Sequence, residues 1–339
     1  MPQKLKNSRR LTQRDIAAVA GVSQTTVSQV LNQSTAISIP EETRKRVLEV
    51  IEQVGYVPDR NARGLRTRKT YTLAAVIPDI TNPYYPTFVR GIQDVAEGCG
   101  YDLVIYNTDN DLEKEKKCLH SIRQNRVDGL IAVLFHLTAS DLARLEIPVV
   151  HLQLKPNEPP PVDVIYIDNI GAAHSVVNFL IERGYDCIGM IAGIEDTPPR
   201  RSRILGYSQA LSEHQIPLQE ILIRGGDYTE AGGYQGMKEL LNLSNRPCAV
   251  FAANDLMAMG AMIAIREAGL RIPEDIAIAG FDDIPAARLV NPPLTTVTQF
   301  QDQIGCRATQ MLLDRINGVA PQEMRVVEMP HQLIIRQSA

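Results

Sequence analysis

The chain has 339 residues, more than one ordinary domain holds, and 44% of them are apolar, enough for two or three packed cores. It has no run of about 18 uncharged apolar residues and opens on no basic-then-apolar leader, which argues against a membrane span or a secreted product; a cytoplasmic protein without a membrane partner is expected. The net charge of -4 averages two unlike parts, since residues 1–70 carry 13 Lys+Arg against 6 Asp+Glu and the remainder carries 22 against 33.

A basic module on an acidic body makes nucleic acid the first partner to consider, with a membrane surface or a merely solvated charged face as alternatives. Inside that module, "LTQRDIAAVAGVSQTTVSQVLN" (residues 11–32) predicts two short helices. Thr12 and Asp15 form a capping-box start, Ile16, Ala17, Val19 and Ala20 face inward, and Gly21 ends the first helix. Ser23 N-caps the second, with Thr26 or Val27, Val30 and Leu31 inward and Gln24, Thr25, Ser28 and Gln29 outward. Helix, glycine turn and helix is the helix-turn-helix plan, in which amides and hydroxyls on the second helix read base edges. The alternative is an ordinary helical hairpin with a polar face.

A third helix is expected over residues 40–56, with Pro40 in its first turn, Glu41 and Glu42 at the positive end of its dipole, and Gly55 as its stop. Val47, Leu48, Val50, Ile51 and Val54 would close a three-helix core. Residues 57–70 are basic and poor in apolar side chains. They read as a plain linker, or as one or two helical turns exposing Leu65, which suits a minor-groove wedge.

Beyond the linker, apolar runs at 73–77, 103–106, 129–135 and 147–152 alternate with helical patterns. The rhythm restarts at "VDVIYIDN" and continues with runs at 187–192, 220–224, 248–252 and 276–281. Such runs predict two parallel sheets covered on both faces, hence two lobes and a cleft, with the proline-rich residues 155–163 leading into the second lobe. Ligands of open α/β sheets sit beyond the strand ends, so Asp79, Asn254, Asp255, Asp282 and Asp283 are candidates for ligand contact or for helix capping. The five cysteines are far apart and read as reduced thiols, and His136, His151 and His174 read as core histidines. Neither a metal site nor a catalytic constellation is expected, so no cofactor is assigned and the chain is not read as an enzyme.

The motifs "RDIAAVAGVSQTTVSQVLN", "TRKRVLEVIEQVGYVPDRNARGL", "GYDLVIYNT", "DGLIA", "RILGY", "FAANDLMAMGAM", "IPEDIAIAGFDD", "PPLTTVTQ" and "HQLIIRQS" occur in the order found in the lactose/galactose repressor (LacI/GalR) family, which the chain resembles throughout. The resemblance implies an all-α helix-turn-helix headpiece (1–57), a hinge (58–70) and an α/β core of two Rossmann-like, periplasmic-binding-protein-like subdomains (71–339). Subdomain 1 would hold about 71–163 and 292–323, and subdomain 2 about 164–291 and 324–339. It further implies a homodimeric repressor of operator DNA controlled by a small molecule, with an activator or corepressor-dependent regulator, and a sugar-binding protein without a DNA role, as alternatives. The expected DNA contacts are Thr12, Ser23, Gln24, Thr25, Ser28, Gln29, Asn32, Tyr56, Arg63 and Leu65; the expected effector contacts are Tyr84, Tyr85, Arg203, Tyr228, Asn254 and Asp282. A tyrosine-lined pocket with Arg and Asp suits a sugar, sugar acid or sugar phosphate, while purine and nucleoside binders share the scaffold. Gln29 stands where many relatives have arginine, Pro40 where a capping serine is common, and Asp59 where asparagine is usual.

Overall fold

The computed structural model describes residues 11–31, 39–56, 69–153 and 155–339. The chain divides after Thr70 into two compact units.

The first unit contains α1 (Gln13–Ala20), α2 (Gln24–Leu31) and α3 (Glu41–Val54). The capping box forms as the sequence predicts: Asp15 N donates to Thr12 Oγ1, and Thr12 N donates to the Asp15 carboxylate at 2.7 Å. Gly21 then turns the chain at φ 65°, which side-chain-bearing residues rarely adopt. Ser23 Oγ accepts from Thr26 N at 3.1 Å, the expected cap of α2. The core comprises Ile16, Ala17, Ala20, Val27, Val30, Val47, Val50 and Tyr56. Val19, Leu48 and Val54 were expected in it and are exposed instead. So short a helix buries a narrow arc, and at 100° per residue Val19 lies on the far side of Ile16 from Ala17 and Ala20.

In the second unit a parallel six-stranded sheet has the order β11-β5-β4-β3-β1-β2. Its strands are β1 (Thr72–Ile77), β2 (Asp102–Asn107), β3 (Gly129–Val133), β4 (Val149–Leu152), β5 (Asp163–Ile167) and β11 (Val326–Met329). One face is covered by α4 (Tyr84–Gly98) and α11 (Gln301–Ile316), the other by α5 (Leu112–Asn125) and the short α6 (Ala139–Ala143). A second parallel sheet, β7-β6-β8-β9, comprises β6 (Ile188–Ile191), β7 (Ile223–Arg224), β8 (Ala249–Ala252) and β9 (Ala277–Ala279). Around it pack α7 (Asn169–Glu182), α8 (Pro198–Glu213), α9 (Glu230–Leu241) and α10 (Asp255–Glu267). The antiparallel pair β10 (Thr296–Thr298) and β12 (Gln332–Ile334) lies beside β9, with parallel bridges joining Ala279 to Thr295 and Asp282 to Thr298.

Two crossings differ from expectation. The strand in "VDVIYIDN" was expected to open the second lobe; as β5 it pairs with β4 in the first sheet, Leu152 opposite Ile165. The terminal strand was expected to return to the second lobe and does so only in part: β11 pairs with β5 in the first sheet, whereas β12 pairs with β10 and packs Leu333 on the second core, and Ser338 bonds Ile278 of β9. An ion cluster fixes this arrangement. Asp163, 1% exposed at the start of β5, accepts from Arg315 of α11 at 2.6 Å and from Arg325 at 2.7 Å. A buried carboxylate without those partners would be strongly destabilising. No helix among the described residues is long and apolar enough to cross a membrane.

Candidate functional site

Two surfaces gather the residues singled out in the sequence. On the first unit, Gln24 and Thr25 are exposed at the start of α2, and Gln29 is half-buried one turn on. Gln24 is oriented by its neighbour: Arg14 Nε donates to Gln24 Oε1 at 3.3 Å. Ser28, expected outward, is buried in the helix packing, and Tyr56, expected at DNA, is a core residue. Thr12 and Ser23 both serve as helix caps. Asn32, Asp59, Arg63 and Leu65 lie outside the described residues.

In the second unit a cavity of about 110 Å³ opens beyond the carboxyl ends of the strands of both sheets. It holds several waters, and so a molecule of several heavy atoms. Tyr84 and Tyr85 enter it from the start of α4, their rings edge to face at 5.1 Å. Arg203 reaches it from α8 and Asp282 from just beyond β9, and Tyr228 also lines it. Five of the six expected effector contacts are thus brought together. The sixth, Asn254, does not line the cavity: its Oδ1 caps α10 by accepting from Met257 N, and its Nδ2 donates to the Tyr228 carbonyl, both at 3.0 Å.

Asn254 therefore supports the wall by fixing Tyr228, which stands at φ 66°. Asp282 at φ 115° and Asp283 at φ 53° are also outside the regions side chains favour, and such residues cost about 1–3 kcal/mol each unless their surroundings hold them. Gln299 Nε2 donates to Asp282 Oδ1 at 2.5 Å, Gln301 Nε2 donates to the Asp282 carbonyl, and Arg336 pairs with Asp283 at 2.6 Å. Burial pushes the Asp282 carboxyl up to about 7, against the opposing pull of Arg203 and Gln299. Burial likewise raises the phenols of Tyr84, Tyr85 and Tyr228, so all three are hydrogen-bond donors at neutral pH.

Arg203 is held on three sides. Its guanidinium carbon lies 3.8 Å from the Phe281 ring centroid, its Nε donates to Asn169 Oδ1 at 3.0 Å, and Nη1 donates to the Ala253 carbonyl. The planar fork is thereby aimed before any ligand arrives. It is the one basic side chain among the described lining residues, which also include Asp79, Asp227 and Asp282 and the amides Asn82, Asn110, Gln153, Asn169 and Gln299; Asp79 and Asp227 each accept from the threonine two residues on.

Sequence reasoning passed over several of these. Asn169 follows a strand end, a signal that was available; Gln299 lies on a crossing segment that no periodicity marks. Glu115 of α5 is also unmarked: 1% exposed, it accepts from the backbone N–H groups of Phe135 at 2.9 Å, His136 at 3.4 Å and Leu137 at 2.8 Å. His136 Nε2 in turn donates to the Asn110 carbonyl at 2.8 Å. Phe135 and Asn110 both line the cavity, so one buried carboxylate shapes two of its walls.

Comparison with known proteins fits both surfaces. A family model described as bacterial regulatory proteins, lacI family, matches residues 12–59, and one described as a periplasmic binding protein-like domain matches residues 177–339. The chain is 34% identical over 331 residues to the HTH-type transcriptional repressor PurR of Pasteurella multocida (strain Pm70), covering 96% of this chain and 98% of that one. The chain belongs to the lacI family of bacterial regulatory proteins. Its lacI-family relatives include the catabolite control protein A of Priestia megaterium, 34% identical over 328 residues that cover 96% of this chain and 98% of the relative. Among solved structures, the lac repressor dimer bound to operator and the anti-inducer ONPF matches with a TM-score of 0.86 at 29% identity, over 97% of this chain and 99% of that one. The CelR–cellobiose complex matches with a TM-score of 0.73 at 31% identity, over 97% and 100%. As a lacI-family member the chain is a DNA-binding transcriptional regulator, with a helix-turn-helix headpiece and a periplasmic-binding-protein-like core of two Rossmann-like subdomains, and its relatives are regulators rather than enzymes.

Proposed function

We propose that this protein is a cytoplasmic repressor that binds a near-palindromic operator as a homodimer, and that a neutral polyhydroxylated molecule, a sugar, controls its grip from the cavity between the lobes. Gln24, Thr25 and Gln29 read base edges, and Tyr84, Tyr85, Arg203, Tyr228 and Asp282 hold the effector, with Asn169 and Gln299 added to the expected set. The observation that carries the choice of ligand is the composition of the lining: one guanidinium shares it with three carboxyls and five side-chain amides. An anion would meet more repulsion than attraction there, while hydroxyls find both donors and acceptors. The aromatic rings supply apolar faces for the C–H side of a sugar.

Effector binding can shift DNA affinity only by its differential affinity for the two lobe arrangements, typically about 1–3 kcal/mol. A purine is the second reading, favoured by the identity to PurR, and tyrosine and phenylalanine rings could stack on it. A thermal-shift panel of neutral sugars, sugar phosphates, nucleosides and purine bases separates the two, because a ligand of the folded state raises Tm by mass action. A shift with neutral sugars alone is expected. A shift confined to purines or to anions would overturn the sugar reading, and salt-insensitive or absent binding to every duplex in gel shifts would overturn the operator reading.

A further inference from the structure

We propose that Arg14, on the first helix of the headpiece, is a specificity-determining residue of DNA recognition, acting through the side chain of Gln24. This rests on the reading that α2 enters the major groove. Gln24 is the first residue of α2, and the N-terminal end of a recognition helix is the part that meets base edges. Arg14 Nε donates to Gln24 Oε1 at 3.3 Å across the turn between the helices.

A guanidinium has donors and no acceptor, so it can bond only the oxygen of a glutamine amide. The contact therefore removes the usual two-fold choice of amide orientation: Oε1 turns toward Arg14 and the NH2 group turns away. An unconstrained glutamine reads adenine bidentately, accepting from N6 and donating to N7. With its carbonyl drawn to Arg14, Gln24 presents the groove chiefly with a donor. Guanine O6 and N7 and thymine O4 accept from such a donor; adenine N7 does too, but its N6 amino group loses the acceptor it would otherwise find, so the pair shifts preference toward guanine or thymine where glutamine alone would favour adenine. Arg14 is exposed, and its charge also attracts phosphate, but that attraction is the same for every sequence.

The test is a binding-site selection with the full-length protein, followed by affinities for the selected site and its variants at one base pair per half-site. That base pair is the one whose preference disappears in Gln24→Ala. The parent protein should favour guanine or thymine there, and Arg14→Ala should shift the ratio toward adenine by about fivefold or more, the scale of a bidentate contact. In the Gln24→Ala background, Arg14→Ala should leave the ratio among the four bases unchanged. Ratios within one protein do not depend on the fraction that is folded, so a partly destabilised variant still gives an answer. Adenine preference in the parent, or an Arg14→Ala variant that weakens all four sites by one factor, would overturn the inference while leaving the operator reading intact. Failure of the parent to enrich any duplex would instead overturn the operator reading.

Discussion

Gln299 and Asp282 meet at 2.5 Å, tying the residue beyond the last strand of the second sheet to the segment that leads into α11 on the first. Both line the cavity, so the bond lies where a change in lobe angle and a ligand would both be felt. An ionised Asp282 accepts two hydroxyl donors, whereas the protonated acid has lost part of that capacity. Sugar affinity should therefore rise between pH 6 and pH 8 as a carboxyl pushed up to about 7 ionises, and titration calorimetry should find that slope absent in Asp282→Asn. A flat profile in the parent would show that the carboxylate does not contact the ligand.

The same carboxyl and His151 oppose one another in stability. Folded Asp282 holds its proton more tightly than the unfolded chain, so its contribution is present at about pH 4 and is lost as pH rises toward 7. His151 is 2% exposed, neither ring nitrogen has a hydrogen-bond partner, and burial lowers its pKa to about 4. Its contribution is present above 6.5 and is lost as pH falls toward 4. Each effect is on the order of 3 kcal/mol, so each masks the other in the parent protein. Urea unfolding across this range should show stability rising more steeply with pH in Asp282→Asn than in the parent, and falling with pH in His151→Leu.

Arg203→Lys should weaken effector binding by about tenfold or more, because lysine keeps the charge but neither stacks on Phe281 nor spans Asn169 and Ala253 together. An unchanged affinity by calorimetry would mean that the guanidinium supports the fold rather than the ligand.

Glu115→Ala should leave three backbone N–H groups of residues 135–137 without their acceptor. A loss of about 1–3 kcal/mol per buried donor left unsatisfied sets the scale, reduced where water enters. Glu115→Gln retains an acceptor oxygen and should recover part of both stability and effector affinity. Equal losses in the two variants would mean that charge, not the shape of the wall, matters.

Gly260 of α10 faces α9 so closely that an added Cβ would lie 1.9 Å from the Glu230 carbonyl oxygen. Gly260→Ala should force the helices apart and cost about 1–3 kcal/mol or more, read as a lower urea midpoint. A midpoint within error of the parent would show that the interface yields freely.

The helix caps and stops of the headpiece were legible in the sequence, because capping and glycine stops act over a few neighbours. Thr12 with Asp15, Gly21, Ser23 and Gly55 stand where the chemistry of their own side chains puts them. The α/β character of the core was equally open to reading, since strands buried on both faces have to be apolar throughout. Ser28 and Tyr56 misled for one reason: whether a polar side chain on or beside a short helix is covered depends on tertiary packing, which the local pattern does not carry. Strand partnership was also beyond local reading, because β5 and β11 are chosen for the first sheet by Arg315 and Arg325 arriving on Asp163 from about 150 residues away along the chain. The cavity is the extreme case. Its strand-end residues could be nominated from position, but only the packing of two lobes decided that Asn254 would brace Tyr228 from behind while Asn169 and Gln299 came forward to the opening.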